Sequence, residues 1–600
     1  MILVFGGTTE GRRAAEALDE AGTTYYYSTR GEGQRLQLAH GIQLTGGMDP
    51  DAMAACCREH GIRLIVDAAH PFASQLHSNI LALCRATGLP VVRYERIYPP
   101  RDESLTWCAD YAEAMRLMAD RGVGRLLALT GVNTIARLKP YWQQHDCWFR
   151  ILDRQTSHDA ARQAGFPEER LAYYETDDTA TLLRTLNPDA ILTKESGESG
   201  GFSEKVAAAK AAGAEVFVVM RPKYDFKYVV DGPYGLRREV ERLLPDFYPL
   251  HSGLTTGTCA TAAAVAQAIR LYRQEEPQQV GVVLPDGETI PVAVGYGEGY
   301  AYAVKQSGDD PDVTDGLEVR VSLEPTADGT LTFAGGQGVG IITLPGFDYP
   351  PGSPAINKVP RQMIASNLSR VLPGGGLSVR VTVSIPGGED VARRTFNPRL
   401  GIEGGISVIG VSGIVKPFSE EAFIDSIRKC MTIAKASGAA RVVINSGAKS
   451  ERYLKARYRE LPPQAFVEYG NYVGETLRMA SDMGFRQVTL GLMLGKAVKL
   501  AAGHLDTHSR RSVMDKAFVA QLLSEAGCPA DISTLTLARE LWQMIPQERI
   551  GRFVATVIAH CARYCRPLLP GGELTILLID DSGNIYTGDN IYTGENNDKL

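Results

Sequence analysis

"LTTGTCATAAAVAQAI", residues 254–269, decides how this chain must be divided. Threonines and a glycine open directly into an alanine-rich helix, the pattern with which a domain begins. Yet the stretch lies well inside a chain of 600 residues. Just before it, "LLPDFYPLHSGL" (243–254) breaks the chain with proline and glycine, and the sequence pattern differs on its two sides. This predicts a domain boundary there.

Upstream, strands and helices alternate. "MILVFGG" reads as a strand ending in glycines, "TEGRRAAEALDEAG" as an amphipathic helix and "TTYYYSTR" as a second strand. "RLIVDAAHPFA" is a strand that runs into a loop. "GVGRLLALTGVNTIARL" and "DAILTKESGESGGFSEKVAAAKAAG" restart the rhythm. This order predicts parallel sheets with helices on both faces. The expected fold is α/β: two Rossmann-like, doubly wound lobes over about 1–100 and 100–248, with ligand beyond the carboxyl ends of the strands. Downstream, short alternating strands such as "LEVRVSL" and "LSVRVTVSIPGG" predict an α+β domain over 252–440. From "ARVVINSG" the parallel rhythm returns, predicting a smaller α/β parallel-sheet domain over 441–580. The polar tail 581–600 repeats NIYTG and is expected to be disordered.

The length predicts about three to five domains. The formal net charge of −6 gives no global basic field for nucleic acid, so an anionic substrate requires local Arg and Lys. No apolar run is long enough to span a membrane, and the N-terminus lacks a signal-peptide pattern, so a cytoplasmic enzyme is expected. A homo-oligomer is left open. The ten cysteines are scattered, which argues against a disulfide scaffold. Cys561 and Cys565, at i,i+4, are half a metal site or buried small hydrophobes; with no second pair nearby, no metal is expected.

In "VFGGTTEGR", Gly6 and Gly7 follow the first strand, Thr8, Thr9 and Glu10 turn, and Gly11 enters the helix. Such a loop either lets a nucleotide pyrophosphate approach backbone N–H groups or is simply a tight, threonine-capped turn. The missing lysine after Gly11 weighs against an NTPase. Ser28, Thr29 and Arg30 end the second strand, where an arginine suits the 2′-phosphate of NADPH or stands as a solvated cation. Asp67 ends another strand, three residues before His70 in "DAAHPF".

Four motifs upstream, "GGTTEGR", "DAAHPFA", "VVRYER" and "LTKESGESGGFSEKVAAA…VFVVMRP", together resemble precorrin-6A reductases and their cobalt counterparts over about 1–245. The resemblance implies hydride transfer from NADPH or NADH to a tetrapyrrole, followed by proton delivery. It places Asp67, His70 and Lys194 as candidate catalytic residues. Arg93, Arg96, Lys205 and Arg221 become candidates for the acetate and propionate arms of the substrate.

The opening stretch, with "GGQGVGIITLPGF", "SPAINKVPRQMI", "NPRLGIEGGISVIGVSGIVKPFSEEAF", "EYGNYVGETLRMA" and "GKAVKLAAGHLDTHS", resembles cobalt-precorrin-5B (C1)-methyltransferases over about 252–580. That resemblance implies S-adenosyl-L-methionine as methyl donor and a ribosomal S5 domain 2-like fold for the α+β part. Thr255, Thr256, Gly257 and Thr258 then either receive the carboxylate of that cofactor at a helix start or form a cap over a buried Cys259. Gly404 and Gly405 are a second cofactor candidate, allowing backbone to approach a flat ligand. In "GHLDTHS", Asp506 is the candidate acid or base, and His504 and His508 are read as substrate contacts rather than metal ligands. The leading expectation is a two-headed enzyme of corrin synthesis; the alternative is one reductase fused to a non-catalytic corrinoid-binding module.

Overall fold

A computed structural model of the chain describes residues 1–31, 36–327, 329–375, 378–508, 512–588 and 591–592. The chain forms two compact units. The first comprises Met1–Ser252 together with Gly281–Pro291; the second comprises Gly253–Val280 and Val292–Leu600.

The first unit holds two six-stranded sheets. One is built from β1 (Ile2–Phe5), β2 (Tyr25–Thr29), β3 (Gly41–Thr45), β4 (Leu64–Asp67) and β5 (Val91–Tyr94). The other is built from β6 (Thr106–Cys108), β7 (Arg125–Ala128), β8 (Asp146–Ile151), β9 (Leu171–Tyr173), β10 (Ala190–Lys194) and β11 (Glu215–Val219). The chain then returns to the first sheet as β12 (Tyr228–Val230). The strand orders are β12-β5-β4-β1-β2-β3 and β6-β11-β10-β7-β8-β9, parallel throughout. Each sheet therefore reverses direction once, at β1/β4 and at β7/β10, where ligands gather in doubly wound sheets.

Side-chain alternation explains why both faces are covered. Ile2 and Val4 point into one helical layer with Leu18 and Leu236, whereas Leu3 and Phe5 point into the other with Met53 and Ile80. In the second sheet Leu126 and Ala128 face one core and Leu127 and Leu129 the other. Strands buried on both faces have to be continuously apolar, as "ILVF" and "LLAL" are.

The segment Gly281–Pro291 joins this unit from further along the chain, as the tip of a hairpin between strands Gln279–Val283 and Thr289–Ala293. Its buried Glu288 accepts the N–H groups of Tyr234 (3.1 Å) and Gly235 at the start of helix Pro233–Leu243. The N–H of Thr289 bonds the Asp231 carboxylate at 2.8 Å.

The second unit opens on helix Thr256–Arg273, capped by Thr255 and buried from Thr256 to Ala268. A five-stranded sheet beside it runs Gly295–Gly297, Tyr300–Val304, Glu318–Pro325, Val379–Ser384, Leu331–Gly335. It is antiparallel except for its last pair, whose two strands are separated in sequence by helix Lys358–Leu368. The closing sheet is parallel over Phe466–Glu468, Arg441–Asn445, Gln487–Met493 and Glu573–Ile579. The architecture is mixed α/β throughout.

The expected disordered tail needs correction at its start. Ile585–Tyr586 pairs antiparallel with Leu578 and Ile579, and the Tyr586 ring stacks on Trp542 at 5.2 Å. Burial of two apolar side chains holds this stretch in the sheet; residues 589–590 and 593–600 of the tail lie outside the described residues. None of the ten cysteines is in a disulfide, and nine are buried. Cys561 and Cys565 lie on the buried face of helix Ile550–Cys565, where burial raises both thiols, Cys565 to about 12.

Candidate active sites

In the first unit, the loops after β1, β4 and β10 converge. After β1, a Cβ on Gly6 would overlap the Tyr27 ring, and one on Gly11 would meet the Gly6 backbone. Gly7 has φ 87° with open space beyond it. Thr8 caps helix Thr9–Asp19, accepting the Gly11 N–H at 2.9 Å and donating to the Ala68 carbonyl at 2.7 Å. Glu10 turns inward: its carboxylate accepts Nε of Arg96 at 3.1 Å and the hydroxyl of Ser199. Arg96 also donates to the Ser196 carbonyl at 2.7 Å, so it ties the β1 loop to the β10 loop. That corrects its expected role, because a buried guanidinium so occupied is not open to a substrate. Ser28 and Thr29 are buried and Arg30 is exposed at the end of β2.

Asp67 is fully buried. Its carboxylate meets Nδ1 of His77 at 2.6 Å and the Arg93 guanidinium at 3.0 Å. Arg93 also donates to the carbonyls of Asp67 and Ala69. Expected as a catalytic residue and a substrate cation, these two residues neutralise each other beneath the loop, as a buried charge must be. His77, which spacing alone did not single out, also reaches the His70 carbonyl at 3.0 Å and so fixes the loop.

His70 accepts the Phe72 N–H at Nδ1, 3.2 Å, which leaves the ring proton on Nε2. Burial, then the charges of Arg96 and Lys194, depress its pKa to about 3, so the ring is neutral at physiological pH. Lys194 ends β10 with its ammonium 5.3 Å from the Phe72 ring centre. Burial, then Arg137 and Lys205, lower it to about 8. Among the described residues no carboxylate pairs with it. Lys205 donates to the Gly200 carbonyl at 2.8 Å, and burial, then Arg150, lower it to about 8. Arg221 differs from expectation: Glu195 accepts it at 2.6 Å and its guanidinium stacks 3.6 Å over Tyr98.

Two cations were not legible in any motif. Arg150, on β8, bonds the Thr179 hydroxyl at 2.8 Å and stacks on Tyr174, yet its buried Nε has no partner. Arg137 follows the β7 loop and is exposed. Only the fold brings them to Lys194 and Lys205, because they lie on separate elements. Beside the neutral His70 ring, these four cations make a basin of positive charge at the strand ends.

In the second unit the threonines of the opening motif are fully engaged. Thr255 accepts the Thr258 N–H at 3.2 Å, Thr258 donates to the Gly413 carbonyl at 2.6 Å, and Thr256 accepts the Ile409 N–H at 2.9 Å. A Cβ on Gly257 would press on Pro360 and the Ile409 carbonyl, and one on Gly410 would strike Thr255. The stretch clamps residues 407–413, and Cys259 is buried in the helix. These hydroxyls therefore position the loop rather than presenting themselves to a cofactor. Gly405 lies against the Gly338 backbone, while Gly404 has φ 76° and open space. The clamped loop exposes Ile409 (50%), Val411 (72%) and, beyond it, Phe418 (68%).

Asp506 bridges to Tyr472 and accepts the His508 N–H at 3.0 Å. His504 and His508 lie on an irregular loop, not a shared helix face, because Gly503 with φ 97° follows the end of helix Leu494–Ala501. Among the described residues, no group of three or more His, Cys, Asp or Glu could hold a metal ion. At the closing sheet, Gly447 follows strand Arg441–Asn445, Glu468 ends the next strand, and Lys496 follows Gln487–Met493. Burial lowers Lys496 to about 8.

With this geometry established, relatives become informative. A cobalt-precorrin-5B C(1)-methyltransferase of Prosthecochloris aestuarii is 43% identical over 345 residues, 55% of this chain and 94% of that protein. One from Brucella canis is 40% identical over 354 residues, 57% of this chain and 96% of that protein. The chain belongs to the cobalt-precorrin-5B C(1)-methyltransferase family. The family models described as CbiD and as CbiD, C-terminal domain, match residues 246–417 and 506–589 of it. Ahead of the methyltransferase part, residues 1–234 match the model described as Precorrin-6x reductase CbiJ/CobK. Among solved structures, CbiD from Archaeoglobus fulgidus is 29% identical over 44% of this chain and 83% of that one, with TM-score 0.26. CobK precorrin-6A reductase is 22% identical over 41% of this chain and 98% of that one, with TM-score 0.35. The chain thus joins a reductase to a methyltransferase as a bifunctional enzyme of cobalamin biosynthesis. Its two families imply a nicotinamide nucleotide and S-adenosylmethionine as reagents.

Proposed function

We propose that the two halves act consecutively on one corrin precursor. The second methylates C1 of cobalt-precorrin-5B to give cobalt-precorrin-6A, and the first reduces that product to cobalt-precorrin-6B. One observation carries the reading: a reductase family and a methyltransferase family whose reactions adjoin occupy one chain end to end.

For the reductase, the β1 loop fits a dinucleotide. Its glycines permit close backbone approach at a helix start, and Gly7 faces open space. Arg30, exposed at the end of β2, suits the 2′-phosphate of NADPH. The nucleotide supplies hydride when bound. Lys205, Arg137 and Arg150 then face the carboxylate arms of the substrate. Lys194, near its own pKa at physiological pH, delivers the proton that completes reduction of the double bond. Neutral His70 offers an Nε2–H to orient it.

For the methyltransferase, S-adenosylmethionine supplies the methyl group, and the protein needs only to hold donor and carbon in line. Ile409, Val411 and Phe418 offer an apolar platform for the macrocycle face, with His504, Asp506 and His508 as polar contacts. The five-stranded sheet with helix Thr256–Arg273 is of the ribosomal S5 domain 2-like type in this reading. No helix among the described residues is long and apolar enough to cross a membrane, and we place the enzyme in the cytoplasm, acting on small molecules.

The test is incubation of the full chain with cobalt-precorrin-5B, S-adenosylmethionine and each nicotinamide, with products weighed by mass spectrometry. A product one methyl heavier is expected without nicotinamide, and one heavier by two further hydrogens with it. A chain that reduces supplied cobalt-precorrin-6A but never methylates would support the non-catalytic alternative for residues 252–600.

A further inference from the structure

The closing sheet gathers three motifs at its carboxyl ends. Its strands lie in the order Phe466–Glu468, Arg441–Asn445, Gln487–Met493, Glu573–Ile579, all parallel. The chain therefore reverses direction between Arg441–Asn445 and Gln487–Met493, where ligands gather in such sheets. Helix Leu494–Ala501 starts there, directly after Gln487–Met493, with no side-chain cap at Met493. Lys496 lies in its first turn, and its ammonium donates to the Gly470 carbonyl beyond Phe466–Glu468. The lysine thus reaches across the end of Arg441–Asn445, the strand between the two. One turn on, Lys499 donates to the Thr507 carbonyl at 3.2 Å. Those two acceptors belong to loops that interlock. The Thr507 N–H bonds the Asn471 carbonyl at 3.0 Å, and the Gly474 N–H bonds the Leu505 carbonyl at 3.1 Å. "GLMLGK", "EYGNYVG" and "GHLDTHS", separate in sequence, meet here.

The charges at this point conflict with the local rules of a helix. A first turn favours acidic side chains because the helix start is itself partly positive. The charged residue in this one is a lysine, with a second lysine three residues on. Both are half-buried. Burial lowers the Lys496 ammonium to about 8; Glu468 opposes that and Lys499 adds to it. Glu468 ends the neighbouring strand but stays beyond ion-pair reach, and neither lysine forms an ion pair among the described residues. An ammonium has three protons to donate, and each lysine gives one to a loop carbonyl. Beside them a Cβ on Gly495 would meet nothing within 4 Å, so the helix start is open. Positive charge drawn out of water without a counter-ion is unfavourable, and a bound anion relieves it. Local conflict of this kind marks functional sites.

We propose that Lys496 and Lys499 bind a carboxylate of the methylation reactants at the open start of helix Leu494–Ala501. Both reactants carry one: the methyl donor in its amino-acid end, the corrin precursor in its acetate and propionate arms. The proposal rests on the methyltransferase reading above. It sets that carboxylate beside the loop of His504, Asp506 and His508, which Lys499 holds, and leaves Thr255–Thr258 to position the 407–413 loop.

The test combines calorimetric binding of S-adenosylmethionine and its decarboxylated analogue with methylation kinetics in which cobalt-precorrin-5B is varied. Both are run on the full chain and on its Lys496→Met and Lys499→Met variants. Loss of a hydrogen bond to a charged group is expected to weaken the affected reactant about ten- to a hundredfold. If the carboxylate is the methyl donor's, both variants bind S-adenosylmethionine more weakly, and the decarboxylated analogue binds weakly to all the chains alike. If it is the corrin's, donor affinity holds, the KM for cobalt-precorrin-5B rises by that factor and kcat changes less. Lys496→Arg, which keeps the charge, should restore most of either loss. The unaltered chain gives a reading that needs no variant to fold: one reactant at saturation should protect Lys496 or Lys499 from acetylation by acetic anhydride, read in peptides by mass spectrometry. Variants that keep both the native melting temperature and unchanged constants, or an unaltered chain whose lysines neither reactant protects, overturn the proposal and leave the methyltransferase reading standing. An unaltered chain that binds no S-adenosylmethionine and methylates nothing overturns both.

Discussion

At the scale of single residues, burial decides which charges remain available. Lys194 and Asp67 both lie at strand ends near His70, yet only Lys194 lacks a carboxylate or cationic partner. Its ammonium, lowered to about 8, is protonated below that pH and loses its proton above it. Reduction should therefore decline as pH rises through about 8. Lys194→Met should slow reduction by about 10²–10⁴ and abolish that alkaline limb, while methylation continues. Steady-state oxidation of NADPH across pH checks both. Asp67 offers the contrast. Asp67→Ala strands a buried Arg93 and should destabilise the first unit by roughly 3–5 kcal/mol in urea unfolding. The sequence could place both residues at a strand end but could not tell them apart. The residue that distinguishes them, His77, belongs to a helix whose pattern reads simply as amphipathic. Arg150 and Arg137 were invisible for the related reason that only sheet order brings them to the site.

At the scale of elements, the opening motif shows how one stretch can be read correctly as a beginning and still be misread as a contact. Its helix, its cap and its buried cysteine follow from local pattern. The destination of its hydroxyls does not, because their partners lie about 150 residues later. By contrast, the parallel lobes were legible because doubly buried strands and capped helices each leave a local signature. Gly410→Ala tests the clamp. A methyl group there meets Thr255 at a φ of 151°, so the loop must shift. Methylation should fall at least tenfold while reduction persists; unchanged methylation would show that the 407–413 loop tolerates displacement. The Pro233–Leu243 helix offers a second test. Two backbone N–H groups pull the Glu288 carboxyl down, but burial prevails and raises it to about 8. A carboxyl that binds its proton more tightly when folded stabilises most at low pH. The first unit should therefore lose stability as pH rises from about 4.5 to about 8, by at most about 1.4 kcal/mol per unit. Glu288→Gln should flatten that slope in thermal melts.

At the scale of the whole molecule, the boundary at Ser252 separates two families but does not close the first unit, which also takes Gly281–Pro291. A fragment ending at Ser252 should fold yet be less stable by roughly 1–2 kcal/mol, the loss of a helix cap. Adding a peptide that spans residues 279–293 should restore its melting temperature; no change on addition would show the hairpin to be dispensable. The hairpin also bears on how the protein is made. During synthesis the reductase lobes leave the ribosome first, but the piece that completes them emerges later. At about 5–20 residues per second, the roughly forty residues between Ser252 and Pro291 take about 2–8 s. The nascent reductase must wait that long with one helix end uncapped, until translation is well into the methyltransferase. A message cut short at the natural seam yields a reductase that folds with one helix end uncapped, and only a longer chain supplies its cap.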